Sequence, residues 1–171
     1  WGVDVMQGGA NKITIVTATY NSERFIEDTI KSVSRQMAYH RLEYIIVDGS
    51  STDRTLDIVH KYRDVIHTII SEPDKGIYDA FNKGIRAATG NIIYFLNSDD
   101  YLVDDSVIQD VLDQFESDAS IRAVYGNVLS VNEAIGFQKP IGRRTTLYDL
   151  KAGLMLPHQG LFVKKDVFHK L

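Results

Sequence analysis

Asn97, Ser98, Asp99 and Asp100 set two adjacent carboxylates directly behind an apolar run, residues 91–101 reading NIIYFLNSDDY. Ile92, Ile93, Tyr94, Phe95 and Leu96 have the composition of a strand buried on both faces. Two carboxylates at the end of such a strand are costly to bury without a counter-charge. In open α/β sheets the carboxyl ends of strands are also where ligands bind. The chemistry this favours is a divalent cation carrying an anionic ligand at the sheet edge. The competing reading is a solvated acidic turn that caps the next helix.

The elements that must position this pair follow from apolar periodicity. ITIVTAT at 13–19 is a β-branched first strand, and Tyr20-Asn21-Ser22 turns the chain, with Asn21 or Ser22 as N-cap. Ile26, Ile30, Val33 and Met37 then form one stripe on a helix of about four turns. LEYIIV at 42–47 is a second strand ending at Asp48, and Ser50 and Asp53 have capping-box spacing before Leu56, Val59 and Tyr62. Residues 65–71 read as a weaker third strand, followed by a loop at 72–76. A helix carries Ile77, Ala80, Phe81, Ile85 and Ala88, and Gly90 stops it. After the acidic strand, Val107, Ile108, Val111, Leu112 and Phe115 share one side of a further helix. Strand and helix alternate four times, which predicts a parallel sheet with helices on both faces. Beyond Ser120 the alternation breaks into a strand at 122–125, an irregular hairpin at 127–138, a short helix at 145–151 and a last strand at 161–163. This mixed tail is expected to extend the sheet and wall one side of a cleft.

Each of the first four strands thus ends in polar residues: Thr19-Tyr20-Asn21, Asp48, Glu72 with Asp74-Lys75, and Asn97 to Asp100. In a parallel sheet these ends share one edge, so a ligand there meets all four.

Bulk composition narrows the function classes. The 171 residues carry a net charge of −4 with no basic block, so nucleic acid is not the expected partner. There is no Cys, which excludes disulfides and thiolate metal sites. No apolar run approaches the roughly 18 residues that span a bilayer. The length suits one domain, 1–171. The ending at 167–171 resembles the first turn of a helix, from which a truncated C-terminal side is expected.

The ordered set ATYNSE, VDGSSTD, EPDKGIYDAFNKGI, ATGNIIYFLNSDD and LPHQGLF resembles the successive signatures of family 2 glycosyltransferases, in the branch that builds bacterial surface polysaccharides. The likeness runs from Ile13 to about Phe168. It implies a GT-A fold, Rossmann-like and nucleotide-sugar-binding, with a mostly parallel central sheet and a mixed C-terminal part. It implies that Thr19 and Tyr20 lie against the base and ribose of a UDP-sugar or similar donor, and that Asp48 accepts a hydrogen bond from the base. Asp53 falls in the same signature or simply caps a helix. Lys75 and Gly76 face the donor phosphates, or Lys75 is a solvated surface lysine. Asn82 contacts ligand or anchors a loop, and Tyr78 reads as packing.

Asn97-Ser98-Asp99 occupies the family's Asp-x-Asp position. Asp99 is the implied ligand for Mg²⁺ or Mn²⁺, ions that favour oxygen donors and keep substrate phosphates in their shell. Asn97 departs from the usual first Asp, and a ribose hydroxyl suits its neutral amide better. Asp100 is implied to meet acceptor or sugar hydroxyls, or to hold the loop. His158 and Gln159 match the family's His-Gln pair on the acceptor side, as metal ligand or sugar-phosphate contact, or as structure. Arg143 and Arg144 add charge near the diphosphate or form a basic turn. His40, His60, His67 and His169 show no partner spacing and read as surface or structural.

The implied reaction moves a glycosyl unit from a nucleotide diphosphate sugar to a saccharide or lipid-linked acceptor hydroxyl, inverting the anomeric centre in one displacement. That needs a general base. The family's acidic candidate is expected beyond Leu171, with Asp100 or His158 as substitutes, so residues 1–171 are expected to bind nucleotide and turn over poorly. Family members of this branch act at the cytoplasmic face of the membrane. A sugar-1-phosphate nucleotidyltransferase would carry a Gly-rich, Arg-containing loop where this chain has TATYNSE. A phosphoacceptor domain would place its acidic pair after the first strand, not the fourth. A nucleotide- or glycan-binding module with a dead site remains the third alternative.

Overall fold

The computed structural model describes residues 10–132, 135–142, 145–153 and 156–170. Strand β1 (Ile13–Thr19) is followed by α1 (Ile26–Ser34), β2 (Leu42–Asp48), α2 (Thr55–Lys61), β3 (Thr68–Ser71), α3 (Ile77–Ala87), β4 (Ile92–Phe95) and α4 (Val107–Ser117). The tail supplies β5 (Ala123–Tyr125), the β6 (Val128–Asn132) and β7 (Phe137–Ile141) hairpin, α5 (Leu147–Lys151) and β8 (Leu161–Lys164). The main sheet has the order β3-β2-β1-β4-β8-β5. β3, β2, β1 and β4 are parallel, whereas β8 runs antiparallel to both β4 and β5.

β1 and β2 are buried at all seven positions each, as their unbroken apolar and β-branched runs require of central strands. Alternate side chains feed two cores. Ile13, Ile15, Tyr44, Ile46, Ile92 and Tyr94 join the stripes of α1, α2 and α4 on one face. Val16, Ala18, Ile45, Val47 and Ile93 meet Ala80 and Phe81 of α3 on the other. Gly84 lets α3 settle onto β1: a Cβ there would stand 2.3 Å from Val16 Cγ1.

Three local expectations are corrected. α1 begins at Ile26, after a turn in which Ser22 O accepts from the N–H groups of Phe25 and Ile26, and Asn21 is left-handed at φ 48°. It has nine residues rather than four turns, and Met37 lies off it, 64% exposed. The cause is Gln36, whose buried amide donates to Asp104 O (2.6 Å) and accepts from Ile108 N (3.1 Å), drawing the chain away to bridge α1 to α4. The Ser50–Asp53 capping box does not form, because Ser50 sits at φ 66° and Asp53 serves the turn itself. The hairpin of β6 and β7 forms a separate two-stranded sheet, while β8 and β5 do the extending.

At the edge where β2 begins, Glu43 is 6% exposed and accepts from Thr14 Oγ1 (2.5 Å), Thr89 N (2.7 Å), Thr89 Oγ1 (2.8 Å) and Gly90 N (3.3 Å). Burial pushes this carboxyl up, and those four donors outweigh it, leaving it below its ordinary value. The clamp fastens the α3–β4 turn beneath the sheet.

Candidate active site

The chain crosses from one side of β1 to the other between β3 and β4, so the strand order reverses at the β1–β4 boundary. Such a reversal opens a crevice at the carboxyl ends of the strands. Thr19, Asp48, the 72–76 loop and the 97–100 loop all leave the sheet on that edge. Gly49 N donates to Thr19 O (2.9 Å) and Glu72 N to Asp48 O (3.1 Å), tying the first three exits together.

Asp48 is wholly buried. Its carboxylate accepts from Ser51 N (3.1 Å to Oδ2), from Ser51 Oγ, and from Ser71 Oγ (2.8 Å). It therefore pins the β2–α2 turn to the end of β3. Asp53 accepts from Thr55 N (2.9 Å) and Glu23 N (3.1 Å), joining the loops that lead into α1 and α2. Burial raises its carboxyl, but these bonds and the Thr55 hydroxyl hold it below its ordinary value. The capping side of its two sequence readings is the one this geometry displays.

Ahead of α3, Gly76 adopts φ 111° and donates to Asp74 Oδ1 (2.8 Å). A backbone in that region favours glycine. Lys75 is exposed, and its ammonium has no ion-pair partner among the described residues. Tyr20 is 61% exposed at the β1 exit. Asn82 is exposed on α3, and Tyr78, also exposed, meets the Phe81 ring edge-on at 6.3 Å.

The acidic loop is stitched to α1 from below. Thr29 Oγ1 lies within hydrogen-bonding distance of Ser98 O (3.0 Å) and Asp100 O (2.8 Å), Ser32 Oγ accepts from Leu102 N (3.1 Å), and the Ser22 and Ser98 hydroxyls are 2.7 Å apart. Sequence reasoning passed over Thr29 and Ser32. Their signal was two small hydroxyls, Thr29 and Ser32, beside the apolar stripe of α1.

What this scaffold presents is poorly neutralised negative charge. Asp99 is exposed and has no hydrogen-bond or ion-pair partner among the described residues. Asp100 is partly buried and accepts from Asn97 Nδ2 (3.0 Å). Burial and then the neighbouring Asp99 push the Asp100 carboxyl up, against the pull of Asn97 and His158. Asn97 Nδ2 also lies 3.3 Å from His158 Nε2, bringing the late His-Gln turn to the acidic loop. Tyr94 OH donates to Gln159 O (2.7 Å), and the Tyr94 and Phe162 rings stack at 4.0 Å, so β4 and β8 hold that turn in place. Gln159 thus enters through its backbone.

Two buried polar atoms at this edge have no partner among the described residues: Thr19 Oγ1 on β1 and Asn97 Oδ1 beyond β4. Unmet buried polar atoms are rare, and each calls for an explanation, a bound group or an ordered water among them. Among the described residues no three His, Asp or Glu side chains converge as a ready-made metal cage. The available donors for a cation are hard oxygens, the type Mg²⁺ and Mn²⁺ take alongside phosphates. Arg143 and Arg144 lie outside the described residues. No helix among the described residues is long and apolar enough to cross a membrane.

Comparison with known proteins places this arrangement. The family model described as Glycosyl transferase family 2 matches residues 14–168. A PGL/p-HBAD biosynthesis glycosyltransferase of Mycobacterium bovis is 32% identical over 167 residues, covering 93% of this chain and 61% of the relative. The chain spans about three-fifths of the length of such curated relatives. Staphylococcus aureus TarS 1–349 superposes with a TM-score of 0.73 at 23% identity, over 93% of this chain and 48% of that one. Its complex with UDP-GlcNAc gives 0.57 at 29% identity, over 62% and 31%. The mannosyltransferase PcManGT of Pyrobaculum calidifontis, in complex with GDP-Man and Mn²⁺, gives 0.61 at 24% identity, over 67% and 34%. The sheet is the expected GT-A arrangement, and the chain belongs to glycosyl transferase family 2.

Proposed function

We propose that the protein transfers a glycosyl unit from a nucleotide diphosphate sugar, a UDP-sugar first among them, to an acceptor hydroxyl in bacterial surface-polysaccharide or glycolipid synthesis. The observation that carries this is the convergence of four strand exits on one edge bearing a poorly neutralised acidic pair and two buried polar atoms without a partner among the described residues. TarS with UDP-GlcNAc shows a related sheet holding such a donor. Here Thr19 and Tyr20 lie against base and ribose, and Asn97 Oδ1 accepts from a ribose hydroxyl. Asp48 serves the base through the turn it holds, with Asp53 bracing that turn from the α1 side. The exposed ammonium of Lys75 beside Gly76 meets the phosphates as a point charge.

The residues fit a divalent cation, Mg²⁺ or Mn²⁺, held by Asp99 with Asp100 behind it. Such an ion, when bound, supplies Lewis-acid stabilisation of the leaving diphosphate. The chain's own part is to fix the oxygen donors and present them from a loop that Thr29 and Ser32 immobilise. An inverting displacement leaves a proton on the acceptor hydroxyl. Asp100 and His158 are the described groups assigned here to take it.

Calorimetry with UDP, with and without Mn²⁺, tests this reading. Mn²⁺ should tighten UDP binding by about tenfold or more, as removing two like charges' repulsion at the diphosphate implies. Asp99→Ala should erase that gain and keep the metal-free affinity. A parent protein whose UDP affinity ignores Mn²⁺, or an Asp99→Ala variant that responds like the parent, sinks the metal assignment.

A further inference from the structure

Lys83 lies midway along α3, one residue before the Gly84 that seats the helix on β1. Its side chain is 11% exposed, and a lysine is seldom so buried unless it is paired. The ammonium lies 2.8 Å from Pro73 O, 3.0 Å from Glu72 Oε1 and 3.7 Å from Asp79 Oδ2. Three oxygens thus surround a group with three N–H donors, and the protein supplies all of them. Two belong to the 72–76 loop. The third is shared with it, because Asp79 Oδ2 also accepts from Lys75 N at 3.2 Å. The far side of the loop is fixed as well. Glu72 N donates to Asp48 O at 3.1 Å, and Asp74 accepts from Gly76 N at 2.8 Å. Asp74 also lies against the β2–α2 turn, where a Cβ on Gly49 would stand 2.6 Å from its Oδ2. From one buried nitrogen the network therefore reaches the main chain on either side of Asp74, at Pro73 and at Lys75.

We propose that Lys83 is a positioning residue of the donor site: it fixes the 72–76 loop so that the exposed ammonium of Lys75 stands where the diphosphate lies. The part given to Lys75 rests on the donor-site reading above. The two lysines carry the same charge and differ in burial. Lys83 is committed to the protein, whereas Lys75 is exposed and has no ion-pair partner among the described residues. A lysine is a point charge on a flexible four-carbon stem. Such a group binds a phosphate well only when its backbone is already held, since each part that must be ordered on binding subtracts from affinity. Lys83 also offsets Glu72 and Asp79, whose carboxylates repel a diphosphate when left unpaired. Its own footing is rigid. The adjacent Gly84 abuts Val16 of β1, so the loop is referred to the strand that carries Thr19.

NMR titrations of the full 171-residue chain with UDP and with uridine test this. Lys83→Met keeps the stem and removes the ammonium. Glu72 and Asp79, with 55% and 34% of their side-chain surface exposed, then reach water, so the variant should fold. It should lower UDP affinity by about five- to thirtyfold, the size of a displaced charge-assisted contact. Uridine, which has no phosphate, should stay within about twofold of the parent. In a Lys75→Met background the same change should lower UDP affinity by less than about twofold, because Lys83 acts through Lys75. A charge acting on the diphosphate directly would cost as much in either background. Without nucleotide, amide exchange at Lys75 and Gly76 should quicken by about threefold or more in Lys83→Met. Asp79→Ala removes the acceptor of Lys75 N, should show the same UDP-specific loss, and decides the matter if Lys83→Met does not fold. Unchanged UDP affinity, equal losses of UDP and uridine, losses additive with Lys75→Met, or unchanged exchange at residues 75 and 76 each overturn the proposal. Failure of UDP to bind the parent instead overturns the donor-site reading, and the exchange measurement still decides whether Lys83 holds the loop.

Discussion

Replacing Asp48 with alanine separates a residue that touches nucleotide from one that builds the place where nucleotide sits. The parent side chain has no exposed surface and takes hydrogen bonds from Ser51 N, Ser51 Oγ and Ser71 Oγ. A hydrogen bond to a charged group contributes ~1.5–3 kcal/mol net. The three do not add fully, because the Ser71 hydroxyl is exposed and recovers water, and the Ser51 hydroxyl can rotate. The Ser51 N–H cannot. A loss of ~3–4 kcal/mol follows, which for a domain of this size lowers the melting temperature by about 6–15 °C. The freed β2–α2 turn should also weaken UDP by about tenfold or more, equally with and without Mn²⁺, since a single lost hydrogen bond to the base is that large. Thermal melts followed by calorimetry at a temperature where the variant is folded supply both numbers. If Asp48→Ala melts within 2 °C of the parent and still loses UDP, the carboxylate acts on the ligand directly and the account of it as a brace is wrong.

Two further substitutions probe the frame. Glu43→Gln removes the charge from the clamp beneath the sheet and should cost ~2–4 kcal/mol at pH 7, as lost charge-assisted bonds in a buried place do. The parent carboxyl is depressed in the folded state from an ordinary value of 4.5. Its stabilisation is therefore complete above that value and is lost as pH falls through the lower folded value. Urea titrations should show the parent–variant gap wide at pH 7 and shrinking below pH 4.5; a constant gap counts against the clamp. Gly84→Ala puts a methyl 2.3 Å from Val16 Cγ1 and 2.9 Å from Cγ2. Overpacking of ~1–3 kcal/mol should outweigh a helix-propensity gain of at most ~1 kcal/mol, and Val16→Ala should rescue it in a double-mutant cycle. Additive losses would show that α3 does not bear on β1 there.

Much of this architecture was legible because central strands and helix stripes leave strong periodic signals. Residues 13–19 and 42–48 are buried throughout, as their composition says, and Asn97 to Asp100 leave the sheet where the alternation puts them. The misses around α1 and the acidic loop share one physical root: side chains that bond across long sequence distances. Gln36 reaches 68 and 72 residues ahead to end α1 early. Thr29 reaches about 70 to hold the acidic loop. Arg24 and Asn132 line one cleft, and no spacing announces such a meeting. Asp48 was legible as a site-edge carboxylate, yet its burial was not, because Ser51 and Ser71 belong to different turns.

The carboxylates of this edge divide according to where their donors come from. Asp48 and Asp53 are met by serine and threonine hydroxyls and backbone N–H groups, all supplied by the chain. Asp99 receives nothing from the described protein, and Asp100 receives one amide from Asn97. Both pairs occupy the same kind of place, the exit of a parallel strand, so location does not distinguish them. Partner supply does. A family-typical Asp at position 97 would put a third carboxylate beside Asp99 and Asp100, and it would forfeit the donor Nδ2 that now restrains Asp100 next to His158. The asparagine thus trades charge at the loop for order in it. It leaves Asp99 as the residue whose carboxylate oxygens have no partner among the described residues, and that makes position 99, rather than 97, the point on which nucleotide binding should turn.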